Sequence, residues 1–243
     1  MTDQGHSRSA SPSRSMSALL PLLAPVGAVG FTATWAVLGT ISTGYQMWDI
    51  VVPSYSPVSQ PVSGLGLGET AAAMNTSFLV CGALVTLGAW AATSTWTHAG
   101  SPRRGHLARA LVSVSGIGMA ICGLFTLESM MMHSLGFLLA IGAPAAGFVL
   151  AAAVTRRTDP ALSRLMLLAG AGAAALLVIF LATFDPQSAG DNEGTAGLVQ
   201  RVLITVVLGT IAAIGIRATG APRTTHSSTD TTRTMNAPPA PTA

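Results

Sequence analysis

Five polar side chains lie at the ends of long apolar runs, where charged and titratable groups are costly and usually functional. Arg201 falls about one turn inside the last run, Glu128 ends the third and His133 begins the fourth. Asn75 begins the second run and Asp185 ends the fifth. A guanidinium binds anionic groups, and an imidazole changes its charge between about pH 5 and 8. If the runs are helices of one bundle, these groups share one level and could line a polar pocket.

The same residues also fit a purely structural role. Arg201 could extend its charge to lipid headgroups, or pair with Glu128 or Asp185 to hold helices together. From the residues alone, the ligand-binding and the structural interpretation of Arg201 both stay open. One histidine with scattered carboxylates falls short of the three or four protein ligands that zinc sites use, so we predict no metal ion and no cofactor.

Nucleophilic catalysis finds little support in the sequence. The chain has no Gly-x-Ser-x-Gly motif. Ser129 and Ser134 lie near His133, but neighbouring positions on a helix do not face one another unless their spacing places them on one face. An intramembrane hydrolase that acts on lipid, with Glu128 or His133 as acid or base, is therefore an alternative and not the leading hypothesis.

Six apolar stretches must position these residues. A helix needs about 20 mostly apolar residues to cross the hydrocarbon core, and half of the chain is hydrophobic while 9% is charged. The first stretch exceeds the apolar part of a signal peptide, about 7–15 residues, so we expect it to be retained. The predicted fold is all-α, a six-helix transmembrane bundle. The stretches are residues 18–41, 74–92, 109–127, 132–154, 164–184 and 196–216.

Charge gives the bundle an orientation. Eleven of the twelve arginines lie on one side of the apolar stretches, and six of the nine acidic residues lie on the other. Arginine-rich connections stay in the cytoplasm, so both termini are predicted to be cytoplasmic in a multi-pass protein of the plasma membrane. The arginines flank apolar runs and have no aromatic residues between them, which favours the lipid bilayer as partner and argues against nucleic acid.

The first outer connection, residues 42–73, is too long and too apolar for a free linker. Loops longer than about 12–15 residues tend to be functional or disordered, and tryptophan and tyrosine favour the headgroup level. We expect residues 45–68 to cover the outer end of the bundle. The apolar side chains in question are Trp48, Ile50, Val51, Val52 and Tyr55.

The chain divides into one membrane domain and two tails. Residues 18–217 are predicted to form the transmembrane domain, with the outer connection inside it. The tails, residues 1–17 and 218–243, are rich in Ser, Thr, Pro and Arg. They cannot bury enough apolar surface to fold, so we predict that both are disordered and cytoplasmic.

Several short motifs resemble a family of bacterial and archaeal membrane proteins named as domain of unknown function 998. The run 55–68 reads YSPVSQPVSGLGLG and is followed by Met74-Asn75 and Gly82. The stretches 123–125 (GLF) and 197–201 (GLVQR), and a histidine that opens a helix, are also similar to that family. The resemblance covers roughly residues 18–218. It implies that six residues belong to one site, namely Tyr55, Ser63, Asn75, Glu128, His133 and Arg201.

The leading hypothesis is a non-enzymatic membrane protein with an outward-facing polar pocket. This pocket would bind or pass a small amphiphile, a lipid headgroup or an ion. Arg201 would supply the charge for an anionic group, and Glu128 and His133 would tune it. The alternatives are the lipid-directed hydrolase and a structural or partner subunit that has no pocket. The sequence does not indicate an oligomeric state.

Overall fold

The computed structural model describes residues 17–98 and 101–220 of the chain. Within these ranges six helical stretches are long and apolar enough to cross a membrane, which confirms the predicted fold class. Most of the predicted tails, residues 1–16 and 221–243, lie outside the described residues. The stretches are Ser17–Ile41, Gly68–His98, Pro102–Leu124, Leu127–Thr155, Pro160–Thr183 and Ala196–Gly220.

The described residues form eight α-helices, one short hairpin, five short 3-10 helices and one π-helical turn. The helices are α1 (Leu23–Ile41), α2 (Ala71–Ala92), α3 (Pro102–Leu124), α4 (Met130–Phe137), α5 (Ala143–Thr155), α6 (Pro160–Thr183), α7 (Pro186–Gly190) and α8 (Ala196–Gly220). The strands are β1 (Tyr45–Met47) and β2 (Ile50–Val52). The α4 and α5 helices form one span, joined by a π-helical turn at Leu138–Gly142.

The spans pack in a closed ring. The α1 helix contacts α2, α2 contacts α3, α3 contacts α5, α5 contacts α6, α6 contacts α8, and α8 returns to α1. In lipid, helices associate through close backbone approach, which small residues permit. The contact between α2 and α3 shows this, because a Cβ atom at Gly116 would overlap the backbone carbonyl of Gly82.

The fourth span is interrupted where proline enters it. Pro144 has no N–H to donate to the carbonyl of Ala140, four residues earlier. The Ser115 hydroxyl of α3 donates to that carbonyl at 2.7 Å. A neighbouring helix thus satisfies the backbone group that proline leaves unpaired, as the absence of water in the bilayer core requires.

The third span begins earlier than the predicted residue 109. The α3 helix starts at Pro102, which suits the first helical turn because its missing N–H has no partner to lose there. The helix ends at Leu124, because Phe125 turns to an extended conformation. The predicted stretch 109–127 is therefore correct as a span but shifted toward the C-terminus, since hydropathy alone excluded Arg103 and Arg104 from the helix.

The first connection folds into the bundle. The β1 and β2 strands pair antiparallel, with Tyr45 opposite Val52. Residues 59–67 follow, and all nine are buried; we refer to them as the buried segment. The end of the bundle that holds them, together with the hairpin and α7, is called the loop end. The connection covers the bundle as predicted, and it also penetrates between the helices.

Candidate functional site

The buried segment and the N-terminus of α8 satisfy each other's backbone groups. The first N–H groups of a helix have no partner within the helix. Here the amide of Gly197 donates to the carbonyl of Ser59 at 3.3 Å, and the amide of Leu198 donates to the carbonyl of Val58 at 2.9 Å. A Cβ atom at Gly197 would overlap the backbone of Gln60, so glycine is required for this close approach.

Arg201 binds the same segment, and residues just before it, from one turn further along α8. Its side chain is 7% exposed. One terminal nitrogen donates to the carbonyls of Pro57 at 2.7 Å, Gln60 at 2.9 Å and Gly197 at 3.0 Å. The other donates to the Tyr55 hydroxyl. Arg201 is therefore held by carbonyl dipoles and one phenol.

No carboxylate neutralises Arg201 in the described part of the chain. The one ion pair recorded between the residues of 17–98 and 101–220 joins Arg217 to Asp159 at 3.0 Å, at the opposite end of the bundle. The pairing of Arg201 with Glu128 or Asp185, considered above as a structural role, is not formed. The Arg201 Nε atom is buried and makes no hydrogen bond within those ranges, so the cation keeps an unused donor.

Tyr55 connects this cation to the buried segment. Its hydroxyl accepts from Arg201 and donates to the carbonyl of Pro61 at 3.1 Å. Burial raises the pKa of Tyr55, and the positive charge of Arg201 opposes that shift in part. The phenol is therefore neutral at physiological pH and can act as donor and acceptor at once.

His133 forms the second polar contact of the buried segment. Its Nδ1 atom lies 2.8 Å from the backbone carbonyl of Phe125, and its Nε2 atom lies 2.9 Å from the Ser63 hydroxyl. Both side chains are buried, at 5% exposure for His133 and 6% for Ser63. A carbonyl oxygen can only accept, so the proton of the neutral ring belongs on Nδ1 and Nε2 accepts from Ser63.

Gln200 completes this polar group from α8. Its Oε1 atom accepts from the backbone amide of Val62 at 2.7 Å. The side chain is 3% exposed, and the contact of Oε1 with Val62 is its one side-chain hydrogen bond recorded within residues 17–98 and 101–220. Because the Val62 amide holds the Oε1 atom of Gln200, the amide nitrogen of Gln200 must point away from Val62.

Two small cavities meet at these residues. One, of about 40 Å³, is lined by Ser63, His133 and Gln200 on its polar side. Its apolar lining includes Phe137, Phe180 and Phe184. The Phe137 and Phe180 rings are tilted by 53° with centroids 5.2 Å apart, and the Phe180 and Phe184 rings are stacked with centroids 5.4 Å apart. The second, of about 30 Å³, also touches Ser63, Phe137 and Gln200 and continues toward Ser115 in the bundle centre. We call the first the aromatic cavity.

Five of the six predicted site residues lie in the first connection or contact it. Tyr55 and Arg201 form one contact, Ser63 and His133 form another, and the Asn75 amide donates to the carbonyl of Gly66 at 3.1 Å. Glu128 lies apart, with an exposed carboxylate that accepts from Thr126 at 3.4 Å. The predicted pocket joined Arg201, His133 and Glu128, but only His133 of these three lines the aromatic cavity.

Gln200 and the three phenylalanines were not among the predicted site residues. Gln200 could have been recognised from the sequence, because an uncharged amide inside an apolar helix needs hydrogen-bond partners, as a charged group does. The phenylalanines could not have been recognised in this way, since aromatic residues in an apolar span are expected for packing. Among the described residues, no group of three or more His, Cys, Asp or Glu side chains is arranged to hold a metal ion.

The six apolar helices and the polar segment buried between them define a multi-pass integral membrane protein. Residues 25–217 match the family described as Protein of unknown function (DUF998), and the chain belongs to that family. No curated protein and no solved structure matches the chain. The family membership confirms the resemblance noted in the sequence, and the description of the family assigns no activity.

Proposed function

We propose that this protein binds a membrane amphiphile at the loop end, with the polar end of the ligand in the aromatic cavity. The observation that carries the proposal is the composition of the cavity wall. Ser63, His133 and Gln200 supply polar groups to a cavity whose lining is mainly apolar and includes three phenylalanines. Ligand sites typically combine an apolar lining with a few placed polar groups.

The surroundings of the cavity favour a ligand that comes from the bilayer. Ser134, on the α4 rim of the cavity, is exposed, and Phe184 at the end of α6 is half-buried. A volume of about 40 Å³ holds a carbonyl or hydroxyl group and not a whole lipid. The chain of an amphiphile would therefore lie outside, along the apolar surface of α4 and α6.

The charge nearby favours a phosphate-bearing or otherwise anionic headgroup. Arg201 follows Gln200 directly on α8, and its positive charge has no carboxylate within 4.0 Å in the described ranges. A buried cation that is compensated only by dipoles raises the electrostatic potential around it. This potential attracts an anionic group to the loop end without requiring that Arg201 contact the ligand.

The proposal is tested by narrowing the cavity entrance. Ser134→Trp places a large ring at the rim, whereas Leu135→Trp places the same ring on the next exposed position of α4, which does not line the cavity. The purified proteins are titrated in mixed micelles with phosphatidylglycerol, phosphatidylethanolamine or a lysophospholipid, and the thermal unfolding midpoint is measured. A ligand at 100 times its Kd stabilises the folded state by about 2.7 kcal/mol.

We expect at least one lipid to raise the midpoint of the wild type and of Leu135→Trp, and to leave Ser134→Trp unchanged. Equal stabilisation of both variants would place the lipid elsewhere and contradict the proposal. No stabilisation by any of these lipids would also contradict it, and would favour a structural or partner subunit.

A further inference from the structure

We infer that Ser63 and His133 form an acyl-transfer pair that hydrolyses a carboxylic ester of the amphiphile bound in the aromatic cavity. The inference rests on the proposed function, because the cavity must first admit the ester. It also differs from the prediction of a non-enzymatic protein. That prediction considered only Ser129 and Ser134, the serines close to His133 in the sequence, whereas the structure places Ser63 against the imidazole.

The first argument is the geometry of the pair. A serine nucleophile needs a base within hydrogen-bond reach, about 2.6–3.2 Å, and the base needs a third group to orient it. Ser63 Oγ lies 2.9 Å from His133 Nε2, and the carbonyl of Phe125 lies 2.8 Å from Nδ1. This carbonyl holds the proton on Nδ1, which leaves the Nε2 lone pair free to accept the Ser63 proton. The third position, often a carboxylate in serine hydrolases, is a backbone carbonyl here.

The second argument is the free donor beside the nucleophile. Attack on an ester places negative charge on its carbonyl oxygen, and a positioned N–H group that receives this charge accelerates the reaction. Gln200 lines both cavities together with Ser63, and because the Val62 amide is bound at its Oε1 atom, its amide nitrogen is available as a donor. Val62 precedes Ser63, so donor and nucleophile are tied to the same stretch of backbone.

The third argument is the low polarity of the cavity. Phe137 and Phe180 are buried, and with Phe184 they form much of the apolar lining of the cavity. Electrostatic interactions are stronger where water is excluded. An apolar wall also suits an ester group whose neighbours are acyl chains, because the chain can remain in the hydrocarbon while the carbonyl reaches Ser63.

The reaction balances with water as the second reactant. Ser63 Oγ bonds to the acyl carbon as its proton moves to His133 Nε2, and the carbonyl oxygen becomes an anion that accepts from Gln200. The ester C–O bond then breaks, and the leaving alcohol takes the proton from Nε2. Water attacks the acyl-Ser63 ester and gives its proton to Nε2. The carboxylic acid departs as Ser63 recovers its proton.

The competing explanation is a structural hydrogen bond that holds the buried segment on α4. The two explanations differ in the reactivity of Ser63, because a merely structural hydroxyl does not react with electrophiles. The full-length protein in micelles is therefore treated with a fluorophosphonate probe, and the modified residue is located by peptide mass spectrometry. This measurement needs no variant and is independent of how well any variant folds.

We expect an adduct on Ser63 in the wild type. His133→Ala should slow labelling at least about 100-fold, the lower range for loss of a general base. Ser129→Ala, which removes an exposed hydroxyl that does not line the cavity, should label as the wild type does. Release of fatty acid from vesicles of a fluorogenic phospholipid should require Ser63, with Ser63→Ala inactive and Ser129→Ala active.

The outcomes separate this inference from the proposed function. Lipid-dependent stabilisation that Ser134→Trp abolishes, without any Ser63 adduct, overturns the acyl-transfer pair and leaves the binding proposal intact. An adduct on Ser63 without lipid-dependent stabilisation supports the pair and contradicts binding of the tested amphiphiles. An adduct on Ser134 or on another serine instead of Ser63 overturns the inference, whatever the lipid result.

Discussion

Gln200 and Arg201 are consecutive residues of α8 and bind the same segment through opposite hydrogen-bond roles. Gln200 accepts from the amide of Val62, whereas Arg201 donates to the carbonyls of Pro57 and Gln60. Consecutive side chains on a helix point about 100° apart, so the segment must pass around this face of α8. One helix therefore fixes both the cation and the free amide of the candidate site.

Replacing Arg201 should destabilise the protein strongly. Arg201→Ala leaves three backbone carbonyls and the Tyr55 hydroxyl without their donor, and hydrogen bonds to charged groups contribute about 1.5–3 kcal/mol each. We expect a loss above about 3 kcal/mol, measured as the unfolding midpoint in micelles. Arg217→Ala removes an exposed arginine of an ion pair and should cost about 0–1 kcal/mol. Similar losses in the two variants would contradict this account of Arg201.

The contact at Gly197 can be tested with a matched glycine on the same helix. A methyl group at Gly197 would overlap the backbone of Gln60, whereas nothing lies within 4 Å of a Cβ atom at Gly209. Gly197→Ala should therefore lower the unfolding midpoint and expose the buried segment to proteolysis. Gly209→Ala should leave the midpoint unchanged or raise it, because alanine favours helix by about 1 kcal/mol over glycine. An unchanged midpoint in Gly197→Ala would show that the segment does not pack as described.

Tyr55 should make the protein sensitive to alkaline pH. Burial raises its pKa above the usual value, so the folded state holds the phenol proton more tightly than the unfolded state does. The stabilisation is complete below about pH 10, the unfolded-state value, and is lost as the pH rises through the folded-state pKa. The chain has no lysine and two tyrosines, so few other side chains titrate in this window.

Tyr55→Phe provides the measurement. The variant loses the contact with Arg201, so its unfolding midpoint at pH 7 should be lower than that of the wild type. Its midpoint should then fall less between pH 9 and 11. Burial also raises the pKa of Tyr45, so part of the dependence should remain. If the unfolding midpoints of the two proteins fell in parallel as the pH rises, Tyr55 would be excluded as a source of the pH dependence.

The predicted orientation of the bundle in the membrane can be determined with engineered thiols at exposed positions. Asp49 and Glu193 lie in the connections at the loop end, and Ser101 and Thr158 lie in those at the other end. The native cysteines, Cys81 and Cys122, are buried and give little background. A membrane-impermeant maleimide should label Asp49→Cys and Glu193→Cys in intact cells, and Ser101→Cys and Thr158→Cys only after permeabilisation. The reverse pattern would place the loop end in the cytoplasm.

The spans could be predicted from the sequence because hydropathy and length determine which helices enter a bilayer. Their exact ends could not, since Pro102 starts α3 inside an arginine-rich stretch that hydropathy excludes. The positions of His133 and Arg201 along the axis of the bundle could also be predicted from the span boundaries. His133 lies six residues from Leu127 and Arg201 five residues from Ala196, so each is within about two turns of the loop-end terminus of its span.

The partners of those two residues could not be predicted. Ser63 lies 70 positions before His133 in the sequence, and its approach depends on how a segment with only a short 3-10 helix, Val62–Gly66, enters the bundle. Periodicity describes helices and strands, and it contains no information about such a path. Glu128 was expected in the site from its place at a span boundary, whereas its side chain is exposed and contacts Thr126.

The position of the buried segment constrains the order in which the chain can reach its final form during synthesis. The first helix and Tyr55 contact the segment and leave the ribosome before it, whereas its contacts with His133, Gly197, Gln200 and Arg201 are made by residues that leave later. The segment therefore cannot complete its contacts until the last helix has entered the bilayer. A chain truncated before α8 would therefore leave its most polar internal stretch unprotected, and quality-control proteases could recognise the unfinished protein there.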